Sequence, residues 1–464
     1  MKKRVIFIVV TALLCCLLVA CGSKTRLQAP QNIRQNGPFL IWDEVKNAEG
    51  YIVLADNEEY VTAEPSCNLS FLGGETVYVV KIKAVGDGEN FADSDWSEFG
   101  FNEIFKYTLL ADGSGYEVNL SVSSVELQDK KVVVPSTYEN LPVTRIADKM
   151  FYKCASLTEV VLPNTLKEIG ANAFYNCKAL TSIELPASVT AIGLGAFRWC
   201  ALKKIVVPTG IEQIENLTFE GCASLTEVVL PNTLEAIGAS SFWNCSALES
   251  IELPESVTAI GSSAFSGCLS LKKIVVPDGI ERIEGNMFGD CTSLTEVVLP
   301  STLKEIRGMA FLGCIVLENI ELPESVTAIG SIAFGGCSSL KKIVVPTGVE
   351  RIEGSTFVGC SNLTEVVLPS TLKEIMGMAF RNCEALKTVV LPSSLKDIGK
   401  GAFSNCPLES VFFGGTEAEY LSVSVAEGND SILSAAVYFY SETEPTENPQ
   451  KFWRYSGGKP LPWA

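Results

Sequence analysis

A phenylalanine recurs at positions 151, 174, 197, 219, 242, 265, 288, 311, 334, 357, 380 and 403. The interval is 23 residues throughout, except for 22 between Phe197 and Phe219. A cysteine stands three residues after every one of these phenylalanines. The short interval has a visible origin: Cys200-Ala201-Leu202 lacks one residue of the pattern Cys177-Lys178-Ala179-Leu180. Twelve copies at a period in this range specify a solenoid in which each copy is one coil. The unit reads A-F-x-x-C-x-x-L-x-x-V/I-x-L/V-P-x-x-V/L-x-x-I-G.

The spacing within one unit predicts its shape. In the stretch 157–162, Leu157, Val160 and Leu162 point inward, while Glu159 and Val161 point outward along a strand. Pro163 ends that strand because it has no N–H to donate. Leu166 and Ile169 form a second apolar pair, and Gly170 allows a turn. Ala173 and Phe174 then open a short helical or irregular turn that buries Phe174 and Cys177. One coil carries too little apolar area to offset the ordering entropy of its 23 residues, so stability must come from stacking neighbours.

This pattern resembles the BspA-like leucine-rich repeat family over residues 137–410, in the motif LP-x-S-V-x-x-I-G-x-x-A-F-x-x-C. The resemblance implies a leucine-rich-repeat solenoid of parallel strands with short helical turns. It also implies a place on a bacterial cell surface and a role in adhesion or in binding host proteins.

A longer period lies inside the array. TEVVLP begins at Thr158, Thr226, Thr295 and Thr364, so coils come in triplets of 68 to 69 residues. At the first outward position, Lys204 precedes Glu227, Lys273 precedes Glu296 and Lys342 precedes Glu365 on successive coils. Strands in register would set these opposite charges side by side; tandem duplication without selected pairing accounts for the pattern equally well. The second outward position reads Val161, Glu184, Val206, Val229, Glu252, Val275, Val298, Glu321, Val344, Val367 and Val390. An exposed valine stripe broken by glutamate at every third coil marks a candidate protein-binding face, although valine also simply favours strands.

The chain ahead of the array divides in two. Residues 1–21 carry Lys2, Lys3 and Arg4 before an apolar run from Val5 to Ala20, the layout of an export leader and short for a membrane span. The run ends in Leu18-Val19-Ala20-Cys21 followed by Gly22-Ser23, which resembles the lipobox of bacterial lipoproteins. That resemblance implies a diacylglyceryl thioether on Cys21, which becomes the mature N-terminus and anchors the chain to the outer face of a membrane. Residues 25–103 alternate short β-rich runs with turn signals, as in Tyr78, Val80, Ile82 and Ala84 against Val79, Lys81 and Lys83. With Pro30, Trp42, the stretch AEGYIV and Asp95-Trp96-Ser97, this segment resembles a fibronectin type III domain, an immunoglobulin-like β-sandwich with Trp42 and Tyr78 in its core. The expected fold class is therefore mainly β, a sandwich followed by a solenoid.

A solenoid must close both open ends. Residues 106–136, with Tyr116, Val118, Leu120 and Val122 alternating, are expected to cap the start. Residues 411–464 are expected to cap the end, with Trp453, Tyr455 and Trp463 packed against the cap.

Composition narrows the chemistry. There are no histidines, which excludes Ser-His and Cys-His catalysis and histidine-bearing zinc sites. With 36 basic and 54 acidic residues the net charge is −18, so no nucleic-acid partner is expected. Of the 16 cysteines, Cys15 and Cys16 belong to the leader and Cys21 is the lipidation candidate. The twelve coil cysteines would stack about 4.8 Å apart with parallel Cβ vectors, beyond the roughly 3.5–4.5 Å that a disulfide favours. They are expected to be reduced and buried, with disulfides between coils as the alternative. No cofactor, metal or catalytic residue is expected. The chain reads as a monomeric, non-catalytic surface lipoprotein that binds a protein or surface ligand through its repeat face. A structural envelope protein, or an extracellular protein acting on or binding carbohydrate, are the alternatives.

Overall fold

A computed structural model of the protein describes residues 24–36, 39–55, 58–69, 78–101, 105–120 and 131–463. The leader with Cys21, the cap residue Val122 and the side chain of Tyr78 lie outside the described residues.

The coils stack as the period demands. All twelve phenylalanines are fully buried, and each ring lies nearly parallel on the next, with centroids 5.1–5.9 Å apart. Leu157, Val160, Leu162, Leu166 and Ile169 are buried with them, while Glu159 and Val161 face outward. Two parallel ladders run along the array. The first is built from strands such as Lys204–Val206 and Glu227–Val229. The second uses two-residue strands such as Glu168–Ile169 and Ala191–Ile192.

Pairing in the first ladder is not continuous. It joins Lys131–Val133 to Glu159–Val161, Lys204–Val206 to Glu227–Val229, Lys273–Val275 to Glu296–Val298 and Lys342–Val344 to Glu365–Val367. It lapses at the coils that carry Glu184, Glu252 and Glu321, where no strand forms apart from an isolated bridge between Ser250 and Lys273. Ser182-Ile183-Glu184 has one β-branched residue where Glu159-Val160-Val161 has two, and glutamate is a poor strand former.

The expected helical turns do not form. In every coil the residues two before and two after the phenylalanine adopt left-handed backbone, for example Asn172 (φ 53°) and Asn176 (φ 61°) around Phe174. N–H groups between them alternate in direction. Tyr175 donates to Asn172 O at 3.1 Å within the coil, whereas Phe174 donates to Ala196 O at 2.8 Å and Asn176 to Arg198 O at 2.7 Å in the next coil. A helix needs every N–H directed backward along its own chain; here every second one bonds to the neighbouring coil. Gly170 serves a different purpose from the turn expected of it. A Cβ there would lie 2.5 Å from the Asp148 nitrogen, so glycine is required by close approach of the preceding coil.

Both ends are capped on both ladders. Tyr116–Leu120 pairs in parallel with Leu141–Ile146 on the second ladder, and Tyr116, Val118 and Leu120 are buried as their alternation predicts. At the far end Ser410–Phe413, Ala436–Tyr440 and Phe452–Ser456 extend the first ladder, and Ser424–Val425 extends the second. Two five-residue helices, Glu417–Leu421 and Asp430–Ser434, connect them. Asn429, fully buried, substitutes for the absent thirteenth coil. Its Oδ1 accepts from the Phe403 N–H at 3.0 Å, and its Nδ2 donates to Gly399 O and Ala426 O. Trp453 packs under the cap and donates to Phe413 O at 2.9 Å. Tyr455, on the same face of its strand as Trp453, packs edge-on against that ring at 4.8 Å but stays 56% exposed, because the strand runs on past its pairing with Ala436–Tyr440.

The N-terminal segment holds two antiparallel sheets around a shared core of Leu40, Trp42, Tyr51, Val53, Val80 and Ile82. Trp42 and Tyr51 meet edge to face at 5.1 Å. Strand Arg34–Asn36 pairs at Gln35 with Tyr138 of the first coil, so one sheet continues from this segment into the solenoid.

Candidate binding face

The first ladder presents two outward columns, and register decides what each offers. In the inner column the expected lysine–glutamate pairs form: Lys204–Glu227 at 2.6 Å, Lys273–Glu296 at 2.7 Å and Lys342–Glu365 at 2.7 Å. Lys131 meets Glu159 at 3.0 Å in the same way, and Glu159 pushes the Lys131 ammonium pKa upward. Lys131 lies in the cap, in the stretch 130–135 that reads KKVVVP and repeats the KKIVVP of the triplets, so duplication accounts for this pair as it does for the others. Strand pairing occurs at each step where lysine faces glutamate. Each such pair is solvated and contributes a few tenths of a kcal/mol.

The neighbouring column carries the valines. Val161, Val206, Val229, Val275, Val298, Val344 and Val367 are each 40–50% exposed. Glu184, Glu252 and Glu321 are exposed and interrupt the column at every third coil. Val390 is half-buried, because the capping strand places Phe412 opposite it. The column is thus a sequence of apolar patches bordered by paired charges. An arrangement of this kind suits contact with a protein surface, whose binding patches combine apolar centres with polar rims.

The coil thiols have a role that spacing alone did not reveal. From Cys177 onward each Sγ–H donates to the carbonyl of the phenylalanine in the preceding coil, as in Cys177 to Phe151 O at 3.1 Å and Cys291 to Phe265 O at 3.2 Å. The thiols are free and buried. Burial pushes Cys222, Cys291 and Cys337 up to about 12. A neutral thiol is a donor and a poor nucleophile, so these cysteines serve packing. Among the described residues, no group of three or more His, Cys, Asp or Glu side chains could hold a metal ion, and no helix is long and apolar enough to cross a membrane.

Sequence reasoning missed a second group of residues. Tyr152, Tyr175, Arg198, Trp199, Glu220 and Trp243 gather on the turns of the first five coils. The signal that could have found them is the 22-residue interval, which falls among them.

Overlapping stretches 144–272, 212–320, 258–375 and 305–430 match the family described as BspA type Leucine rich repeat region (6 copies). Among solved structures the chain is similar to a leucine-rich repeat protein from Bacteroides ovatus ATCC 8483, at 27% identity over 74% of this chain and 95% of that one, with a TM-score of 0.49. It is also similar to a leucine rich cell surface protein from Faecalibacterium prausnitzii A2-165, at 24% identity over 70% and 97%, with a TM-score of 0.42. The pneumococcal vaccine antigen PcpA is similar at 21% identity over 76% and 91%, with a TM-score of 0.43. No curated protein matches the chain.

Proposed function

The chain belongs to the BspA-type leucine-rich repeat family, and from that premise we propose that it is a non-catalytic cell-surface lipoprotein that binds a protein or surface ligand through the first-ladder face. The observation that carries this reading is the column of exposed valines beside a column of neutralised charges. Exposed strand valines are not needed for the core, and pairing in the adjacent column lowers the cost of covering its charges relative to lone ones. Cys21 would carry the lipid anchor, and the N-terminal segment, read as a fibronectin type III-like unit, would hold the solenoid away from the membrane.

The test uses the full chain on an array of extracellular proteins and glycans. Replacing Val206, Val229, Val275 and Val298 by Ser removes apolar contact area while keeping four exposed strand positions. The expected result is binding weakened about tenfold or more for a bound protein, equivalent to roughly 1.4 kcal/mol, with an unchanged melting profile. Undiminished binding removes this face as the site. Mass spectrometry of the exported protein tests the anchor separately; an unmodified N-terminus downstream of Cys21 overturns it.

A further inference from the structure

A solenoid built from near-identical coils gives away a specialised site where its regularity fails, and here several departures fall together. The interval from Phe197 to Phe219 is one residue short. In that coil Trp199 occupies a left-handed position (φ 59°), a conformation strained for a bulky side chain. In the next coil the equivalent residue is Gly221, where a Cβ would lie 2.4 Å from the Trp199 ring. The indole therefore lies flat across Gly221 with its other face outward, and it is 38% exposed. Beside it Arg198 grips Glu220 through two contacts of 2.7 Å, although Glu220 is only 2% exposed. Trp243 meets Trp199 edge-on at 6.4 Å, Arg198 lies over the Tyr175 ring at 5.7 Å, and Tyr175 stacks on Tyr152 at 4.7 Å. The seven later coils carry no aromatic residue at either of these two turn positions.

The charge of this edge also differs from that of the whole. In a chain of net charge −18, Lys149, Lys153 and Lys178 flank the aromatic group, exposed and without an ion pair among the described residues. The two acids of these turns are already engaged: Glu220 with Arg198, and Asp148 with Arg145 and the Ala171 N–H. What remains is the outward face of the Trp199 indole, with the stacked pair Tyr152–Tyr175 covered by Lys153 on one side and Arg198 on the other, Trp243 standing perpendicular to Trp199, and cations without acidic partners around them.

We propose that the turn edge of the first five coils is a binding site for an acidic glycan. Sugar rings present apolar C–H faces that lie against flat aromatic surfaces, and the lysines meet the glycan's carboxylates or sulfates. The rise of one coil, about 4.8 Å, is comparable to one pyranose unit, so a linear chain running along the coils can cover the Trp199 face and reach the lysines on the two preceding coils. A protein partner fits less well, because a binding aromatic on a protein interface usually fills a pocket, whereas Trp199 lies flush against its own backbone. This site occupies a different segment of the coil from the valine column and stands independently of it.

The experiment is calorimetric titration of the full chain with a hexasaccharide of alternating glucuronate and N-acetylglucosamine, and with a neutral N-acetylglucosamine hexasaccharide. Saturable binding of the acidic oligomer is expected, tighter than the neutral one and weakened by salt. Trp199→Gly relieves the left-handed strain and removes the exposed indole face; it is expected to melt no lower than the parent and to bind at least about tenfold more weakly. A Lys153→Glu, Lys178→Glu double variant is expected to abolish the preference for the acidic oligomer. The proposal is overturned by no saturable binding, by equal affinity for the neutral oligomer, or by unchanged binding in both variants. A lower melting temperature for Trp199→Gly with undiminished binding makes Trp199 a plug for the shortened coil and also overturns it.

Discussion

The phenylalanine–cysteine column and the lysine–glutamate column run along the same coils, yet they obey different rules. The first is identical in all twelve copies, whereas the second changes identity with a period of three. In the first, each ring from Phe174 to Phe380 is enclosed above and below by its equivalents, and from Cys177 onward each thiol is bonded to the preceding coil. A change at one coil therefore damages two interfaces. In the second, each pair is half in water, and a change costs only part of one weak contact. A repeat protein is uniform where neighbours define the environment and variable where solvent does.

Four measurements would break or sharpen that contrast. The largest effect is expected from Phe288→Ala, which empties the gap between Phe265 and Phe311. It should destabilise the array by about 3–5 kcal/mol and split urea unfolding into two steps, because the coils on either side lose their coupling. A single transition with a shift below about 1 kcal/mol would contradict the nearest-neighbour account. Asn429→Ala removes the partner of the Phe403 N–H and of the Ala426 carbonyl, while the Gly399 carbonyl keeps the Ala402 N–H at 3.2 Å. About 3 kcal/mol is expected, confined to the last coils and read as lost hydrogen-exchange protection there.

The thiols come next. Cys222, Cys291 and Cys337 should resist alkylation at pH 8 in the folded chain and react once it is unfolded. Burial raises Cys222 from 9.0 to about 12, so its neutral form is favoured in the native state. The stability it contributes is present below pH 9 and is lost as pH rises from 9 towards 12, which should appear as a falling urea midpoint over that range. The smallest effect belongs to Lys273→Ala, about 0.3 kcal/mol and less at high salt. An effect above about 1 kcal/mol would place the lysine–glutamate column among the determinants of the fold.

Much of this was legible without coordinates. Alternation in 157–162 identified which side chains point inward, because a strand's period of two leaves no other arrangement when one face is buried. The lysine–glutamate neighbours followed from counting coils. The turns were not legible. Asn176, Gly221, Asn244 and Gly267 suggest left-handed backbone, but Trp199, Leu217 and Ile332 hold the same conformation against their intrinsic preference. Only the hydrogen bonds from the neighbouring coils impose it. The lapses in strand pairing were hidden too, since Ser182-Ile183-Glu184 keeps the inward pattern of its neighbours while losing their ladder. The aromatic group on the turns was invisible for a similar cause, because Tyr175 and Trp243 lie 68 residues apart in the chain.

By itself, the order of residues determined that this chain coils, how many coils there are and which side of each is buried. Those properties depend on period and polarity, which are carried within a single copy. The tertiary structure alone decided which glycine answers to close approach, which asparagine replaces the missing coil, and which aromatics meet at the surface. Each of these depends on atoms roughly one full turn away, and contact across that distance exists only once the coils have stacked.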